Sequence, residues 1–221
     1  MDLFLFVEGP LLWIAFLVFI IGSIIRVSMF VFVSTKKDKI IYQHFSWKYL
    51  FSTIVRWLLP LNKAIPKNPI FTILAYIFHL CLIVVPIWYA GHITLWEESR
   101  FEWSWTAMPD ELADWMTLIF LGIAIFFLLR RIFSADIRLI STFSDYFLLI
   151  ITALPFLTGY FLTNGTLDSI TFFSDNIQLI HILSGELMLI LIPFTKLSHY
   201  ILFFFSMGAS GIEFGRRGYS I

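Results

Sequence analysis

Five runs of about twenty mostly apolar residues restrict the fold of this chain more than any other feature. A helix needs about 20 such residues to cross a hydrocarbon core of roughly 30 Å. The chain is 59% hydrophobic and only 14% charged, whereas soluble domains carry about 25% charged residues. We therefore predict one all-α integral membrane domain over residues 1–221, a five-helix transmembrane bundle with spans at about 11–33, 70–95, 115–132, 146–163 and 177–206.

The charged residues are sorted between alternate connections of these spans. The connection at 34–69 is mainly basic, that at 96–114 is mainly acidic, and the chain is basic again after the third span and near its end. Because basic connections stay on the cytoplasmic side of a membrane, we predict the N-terminus outside and the C-terminus inside. Zero formal net charge gives no indication of nucleic-acid binding.

The first connection contains a second kind of helical pattern. Within residues 45–59, Trp47, Leu50 and Ile54 recur at helical spacing, and Lys48 and Arg56 fall between them. This pattern predicts an amphipathic helix lying in the inner membrane interface. Anchoring in the lipid bilayer explains the pattern, and docking of partner proteins is an alternative.

Histidine is the residue type that points to a chemical function. His44 lies in the basic connection, but the other four histidines lie inside two predicted spans, where ionisable residues are costly and usually functional. By depth, His92 pairs with His181 near the outer face, and His79 pairs with His199 near the inner face. Two imidazoles from facing helices can fill both axial positions of a haem iron, an arrangement that suits electron transfer.

The spacing of the histidines fits this prediction better in one span than in the other. His181 and His199 are 18 residues apart, about five turns of 3.6 residues, and Gly185 lies near the same face, where it would leave room for a porphyrin. His79 and His92 are 13 residues apart, which separates them by roughly 140° around a straight helix. We expect Pro86 to interrupt that helix and turn one histidine. If it does not, we expect one haem.

The last span carries a motif that resembles a known family. It reads HILSG at 181–185 and PFTKLSH at 193–199, similar to the HxxxG and PF(T/S)(K/R)LxH patterns of the gamma subunit of respiratory nitrate reductase. Membrane subunits of sulfate-reducer transmembrane redox complexes belong to the same group. The FH at 78–79, the GH at 91–92 and the LRR at 129–131 followed by ST at 141–142 and an aspartate at 145 are also similar. The resemblance covers about residues 70–205.

The resemblance implies a subunit of a respiratory chain complex in a bacterial or archaeal cytoplasmic membrane. It implies two b haems, with His79, His92, His181 and His199 as iron ligands. Electrons would pass between menaquinol or menaquinone, or a periplasmic multihaem cytochrome, and a cytoplasmic iron–sulfur subunit, with other membrane subunits as further partners. Whether such a chain has an enzymatic activity of its own is left open: it would be quinol oxidation or quinone reduction, and no catalytic residue is predicted.

Two other functions remain open from the residues alone. The chain could be a haem-free membrane anchor or scaffold of a redox complex, with its histidines merely packed. It could also be a transporter that moves protons or metal ions through the same histidines. Bound low-spin haem would separate the cytochrome from both alternatives.

Overall fold

The computed structural model describes residues 3–37, 39–59 and 68–219, without the side chains of residues 40 and 41. These residues are largely helical, and no strand occurs among them. Part of the predicted basic connection, including Lys63 and Lys67, lies outside the described residues. The helices are α1 (Leu3–Lys37), α2 (Lys39–Gln43), α3 (Trp47–Leu58), α4 (Pro69–Trp88), α5 (Ala90–Glu97), α6 (Asp110–Phe133), α7 (Ala135–Leu139), α8 (Phe143–Asn164), α9 (Thr171–Leu191) and α10 (His199–Arg216).

Four of these helices, α1, α4, α6 and α8, are long and apolar enough to cross a membrane. The pair α9 and α10 would make a fifth crossing if it forms one span. The predicted all-α fold is therefore confirmed, and the helices fit a multi-pass membrane protein. The amphipathic helix predicted at 45–59 is also present, as α3. The number of crossings and their orientation stay predictions.

The expectation of one continuous helix over 177–206 is wrong. α9 ends at Leu191, a short 3₁₀ turn covers Lys196–Ser198, and the two arms are bent by 74°. Pro193 has no backbone N–H, so it cannot continue the helical ladder. Thr195 stabilises the break, since its hydroxyl donates to the Leu191 carbonyl at 2.7 Å. The five-turn argument that placed His181 and His199 on one helix face therefore does not apply.

The chain forms two compact units, which we describe separately. The central unit is Leu74–Gly185, and the terminal unit comprises Met1–Ile73 and Glu186–Ile221. The predicted single membrane domain over 1–221 stays a prediction.

An aromatic stack forms the core of the central unit. The Phe78 and Phe120 rings lie 4.5 Å apart between centroids, and the Phe120 and Phe156 rings 4.0 Å apart. Cys81 and Val85 pack in the same cluster. Because aromatic pairs bury large apolar areas with defined geometry, the stack fixes α4, α6 and α8 against one another.

The polar residues between α6 and α8 that contributed to the resemblance stabilise the start of α8. Thr142 and Asp145 form a reciprocal capping box, in which the Asp145 carboxylate accepts a hydrogen bond from the Thr142 N–H at 2.8 Å. Arg131 donates to the Ser141 hydroxyl at 3.0 Å, and the Tyr146 hydroxyl donates to the Arg131 carbonyl at 3.0 Å. These residues therefore satisfy the exposed backbone groups of a helix start and tie it to the end of α6.

Close approach of α10 to α1 organises the terminal unit. The Ser23 and Tyr200 hydroxyls lie 3.0 Å apart, and the Tyr200 ring stacks on Phe19 with centroids 5.6 Å apart. Gly22 is required here, because a Cβ at this position would lie 2.8 Å from the side chain of Pro193. Pro193, at the break before α10, therefore packs directly against Gly22 of α1.

Candidate functional site

His92 lies just after a break between α4 and α5. Tyr89, between the two helices, has an extended backbone with φ −71° and ψ 132°. Its ring lies over the following turn, where a Cβ on Gly91 would come within 2.9 Å of it. A break does lie between His79 and His92, but it occurs at Tyr89 and not at Pro86, through which the helix continues.

The break leaves three carbonyl groups at the end of α4 without helical partners, and each is satisfied by a residue further along the chain. Buried backbone carbonyls need such partners, since an unsatisfied one costs about 1–3 kcal/mol. One partner is the His92 ring itself, and two come from the loop before α6. The pairs are His92 Nδ1 with Pro86 O, Trp105 Nε1 with Ile87 O, and Met108 N with Trp88 O, each at 2.9 Å.

His181 is positioned on α9 by contacts with α8. Its Nδ1 lies 3.0 Å from the Pro155 carbonyl and 3.2 Å from the Thr158 hydroxyl. Thr158 donates to the Leu154 carbonyl at 2.9 Å, so its hydroxyl oxygen faces the imidazole as an acceptor. The ring of His181 is therefore oriented by two oxygen atoms of the neighbouring helix.

A glycine on α8 makes room for this imidazole. A Cβ added at Gly159 would lie 3.0 Å from His181 Cε1 and 3.4 Å from Nδ1. Carbon atoms in contact normally lie about 3.5–4.0 Å apart. Gly159 is therefore the position that allows His181 to approach α8 closely enough for its hydrogen bonds.

The structure brings His92 and His181 together, as the sequence predicted for the outer pair. Their ring centroids lie 6.0 Å apart and their planes differ by 3°. Both rings are half-buried in the central unit. Offset aromatic rings commonly have centroids about 4.5–7 Å apart, so this separation by itself lies within the range of ordinary ring packing.

The hydrogen bonds of the two rings define which nitrogen can bind a metal. A carbonyl oxygen can only accept, so Nδ1 of each imidazole carries the proton, and the lone pair is on Nε2. Ligating histidines commonly have their other ring nitrogen anchored to a backbone carbonyl in this way. Both residues therefore carry a lone pair on Nε2, the nitrogen that is left for a ligand or hydrogen-bond donor.

The two remaining histidines share this tautomer but belong to different units. His79 Nδ1 bonds to the Ala75 carbonyl at 2.7 Å, and His199 Nδ1 bonds to the Lys196 carbonyl at 2.8 Å. Both rings are exposed on the surfaces of their units. The pairing of His79 with His199 at an inner haem stays a prediction.

The surroundings of Gly185 match the prediction that it leaves space on α9. A Cβ added there would meet nothing within 4 Å. The residue lies one helical turn after His181, on nearly the same face. Its assignment to a haem pocket stays a prediction.

Within the described residues, no three side chains from His, Cys, Asp or Glu converge as a metal-binding group. A haem with two axial imidazoles takes only two ligands from the protein. The His92 and His181 pair is therefore the arrangement that bears on the predicted iron site, and the iron site itself stays a prediction.

The chain is 34% identical over 222 residues to a protein of Nitratidesulfovibrio vulgaris (strain Hildenborough). The match covers 98% of this chain and 96% of the relative. The chain belongs to the same family as this protein. The relative is described only as "Protein", which assigns no activity to the family. No protein-family model and no solved structure matches the chain.

In this family member, sequence reasoning missed the residues that position the outer pair. Gly159 and Thr158 adjoin His181, while Tyr89 and Trp105 organise the break beside His92. The one available signal was a glycine in a membrane helix, since glycine in a helix interior often marks a close approach.

Glu186 is the most deeply buried carboxylic acid among the described residues, with 2% of its surface exposed. Neither of its carboxyl oxygens has a hydrogen-bond partner there. A buried polar group without a partner is costly.

Proposed function

We propose that the chain is a b-type cytochrome subunit of a membrane respiratory complex. In this proposal five spans cross a bacterial or archaeal cytoplasmic membrane, with the N-terminus outside. His92 and His181 hold an outer haem b, and His79 and His199 hold an inner one. Electrons are relayed between menaquinol or a periplasmic cytochrome on one side and a cytoplasmic iron–sulfur subunit on the other.

The separation of the His92 and His181 rings carries the proposal. Two metal–nitrogen bonds of about 2.0 Å, each extended by roughly 1.1 Å from nitrogen to ring centre, give centroids about 6.2 Å apart. The observed centroids are 6.0 Å apart with nearly parallel planes. This spacing fits coordination of one metal ion between the two rings and also lies within the range of offset ring packing, so the haem count decides between them.

The hydrogen bonds from the chain support ligation in two ways. Anchoring each Nδ1 to a carbonyl raises the basicity of Nε2 and fixes the rotation of the ring. It also offsets part of the entropy cost of ordering a ligand side chain. A haem iron with two imidazole ligands has no open position and supplies one-electron transfer.

Haem counting in histidine variants tests the proposal. We expect the purified protein to contain two b haems per chain in a pyridine haemochrome assay. His92→Ala and His181→Ala should each lose the same haem, recognised by its band in the reduced-minus-oxidised spectrum. His79→Ala and His199→Ala should each lose the other.

His44→Ala provides the matched control, since His44 lies outside the predicted spans and should leave both haems in place. A single haem lost in the His92 and His181 variants would limit the site to the outer pair. Wild-type protein without haem would overturn the proposal.

Glu186 favours a second candidate, a proton transporter that uses the intramembrane histidines. A buried carboxyl without a partner is typical of proton relays in membrane proteins. Haem-free protein that carries protons into liposomes, and that loses this flux in Glu186→Gln, would favour the transporter. Protein with two haems and no flux would favour the cytochrome.

A further inference from the structure

The short helix α3 has three distinct sides. At about 100° per residue, Trp47, Phe51 and Leu58 fall on one side, and Lys48, Ser52 and Arg56 fall on a second. The third side, with Tyr49, Leu50 and Thr53, packs on α10, as the following contacts establish.

Three glycines of α10 allow the third side to approach closely. A Cβ at Gly208 would lie 3.1 Å from Leu50, and one at Gly211 would lie 2.5 Å from Thr53 and 2.8 Å from the Tyr49 carbonyl. At Gly215 it would overlap the Tyr49 ring. α3 is therefore fixed against α10, and its other two sides have defined orientations.

The apolar side of α3 is exposed within its unit. Trp47 is 63% exposed, Phe51 55% and Leu58 51%. The Trp47 ring stacks on Phe51 with centroids 5.5 Å apart, so the two form one continuous aromatic surface. Such a surface beside a cationic stripe is typical of a helix that lies at the boundary of acyl chains and headgroups.

The polar side of α3 borders a cleft of about 300 Å³ in the terminal unit. Lys48, Ser52 and Arg56 line one wall, and Gly215, Gly218 and Tyr219 line the other. The chain turns at the end of α10 because Gly218 adopts a left-handed conformation with φ 80°, which glycine tolerates best. The cleft therefore combines two cations, the Ser52 hydroxyl beside them and a glycine-rich wall that ends at Tyr219.

The cations of this cleft are not neutralised by neighbouring side chains. Among the described residues, neither Lys48 nor Arg56 forms an ion pair. The acidic residue near the end of α10, Glu213, is paired with Arg216 at 2.9 Å and also with Arg217. Among the described residues that line it, the cleft therefore holds two cations and no carboxylate.

We propose that this cleft binds the phosphate group of an anionic phospholipid. The guanidinium of Arg56 can bind a phosphate with two parallel hydrogen bonds, and Lys48 adds a point charge. Ser52 supplies a hydroxyl between them. The exposed aromatic side of α3 sets the helix at the depth where lipid headgroups lie. Free inorganic phosphate has the same hydrogen-bonding and charge chemistry and is the alternative ligand for the cleft. The proposal does not depend on haem.

Lipid-dependent stability tests this site. The protein is placed in nanodiscs of phosphatidylcholine alone, or of phosphatidylglycerol with phosphatidylcholine at about one to three, and its thermal unfolding is compared. Each cation near an anionic headgroup raises the affinity for the lipid about fivefold, so loss of both cations should lower that affinity by roughly 30-fold. We expect phosphatidylglycerol to raise the Tm of the wild type and to have little effect on the variant with Lys48→Gln and Arg56→Gln.

A variant with Lys36→Gln and Lys37→Gln is the matched control, because it removes the same charge at the end of α1 without touching the cleft. It should retain the phosphatidylglycerol effect. Unfolding in phosphatidylcholine alone reports whether each variant folds. If millimolar inorganic phosphate in detergent stabilises the wild type and not the cleft variant, the source is free phosphate. The proposal would be overturned if phosphatidylglycerol raised the Tm of the wild type and of the cleft variant equally. It would also be overturned if the control variant lost this rise in Tm to the same extent as the cleft variant.

Discussion

Replacement of Gly159 by alanine tests the outer histidine pair most directly. The new Cβ would lie 3.0 Å from His181 Cε1, whereas carbon atoms in contact lie about 3.5–4.0 Å apart. The ring would have to move by about 0.5 Å or more. Its bonds to Pro155 and Thr158, at 3.0 and 3.2 Å, leave little room for that movement.

The cost of this change is the difference between two opposing effects. Replacing glycine by alanine in a helix interior gains roughly 0.8–1.0 kcal/mol of helix propensity. Overpacking a close contact costs about 1–3 kcal/mol. If the overpacking acts on ligand geometry, affinity for haem falls by about 5- to 150-fold, since each 1.4 kcal/mol is a factor of ten.

Gly122→Ala is the matched control for Gly159→Ala. Gly122 lies in α6 of the same unit, and a Cβ there would meet nothing within 4 Å. We expect Gly122→Ala to keep full haem content and an unchanged or higher Tm. Gly159→Ala should lose the haem held by His181, as counted by pyridine haemochrome. Identical haem content and reduced spectra in both variants would refute the reasoning.

Two further substitutions test the contacts around the site and the packing of α3. Trp105→Phe removes the Nε1 donor to a carbonyl at the break before His92. In a haem titration, it should weaken binding of the proposed haem at His92 by about fivefold, or roughly 1 kcal/mol. Trp103→Phe is the control, because the Trp103 ring stacks on Trp96 and does not donate to a carbonyl of the break, so haem binding should be unchanged. Gly211→Ala places a Cβ 2.5 Å from Thr53 Oγ1, so it should lower the free energy of unfolding by about 1–3 kcal/mol in a thermal unfolding experiment. A Cβ at Gly9 meets nothing within 4 Å, so Gly9→Ala should leave the free energy of unfolding unchanged.

Hydrophobic runs and histidine positions were enough to predict the helices and the outer pair. An apolar run long enough to span a membrane has few alternatives to a helix, and α6 and α8 coincide closely with the predicted spans. His92 and His181 were paired by depth alone, and they do lie together. The periodic pattern at 45–59 likewise predicted α3.

Helix breaks could not be placed from the sequence in the same way. An interruption is expected at Pro86 from the sequence, but the helix continues through it and ends before Tyr89. A proline removes one hydrogen bond and still permits a helix when other groups compensate. At Pro193 the helix does end, because Thr195 and the following 3₁₀ turn satisfy the backbone. The outcome at each proline depends on tertiary partners that no local pattern specifies.

The break at Tyr89 also determines which atom of His92 is available for chemistry. A continuous helix would direct the Pro86 carbonyl to a backbone N–H, and the imidazole would have no carbonyl there to anchor it. Because the break leaves that carbonyl to Nδ1 of His92, it both turns the ring toward His181 and places the lone pair on Nε2. Trp105 and Met108 satisfy the next two carbonyls and stabilise the broken backbone. The loop that carries Trp105 and Met108 therefore helps to set the orientation of His92, and if the proposed haem is bound there, substitutions in this loop should weaken its binding without contacting the iron.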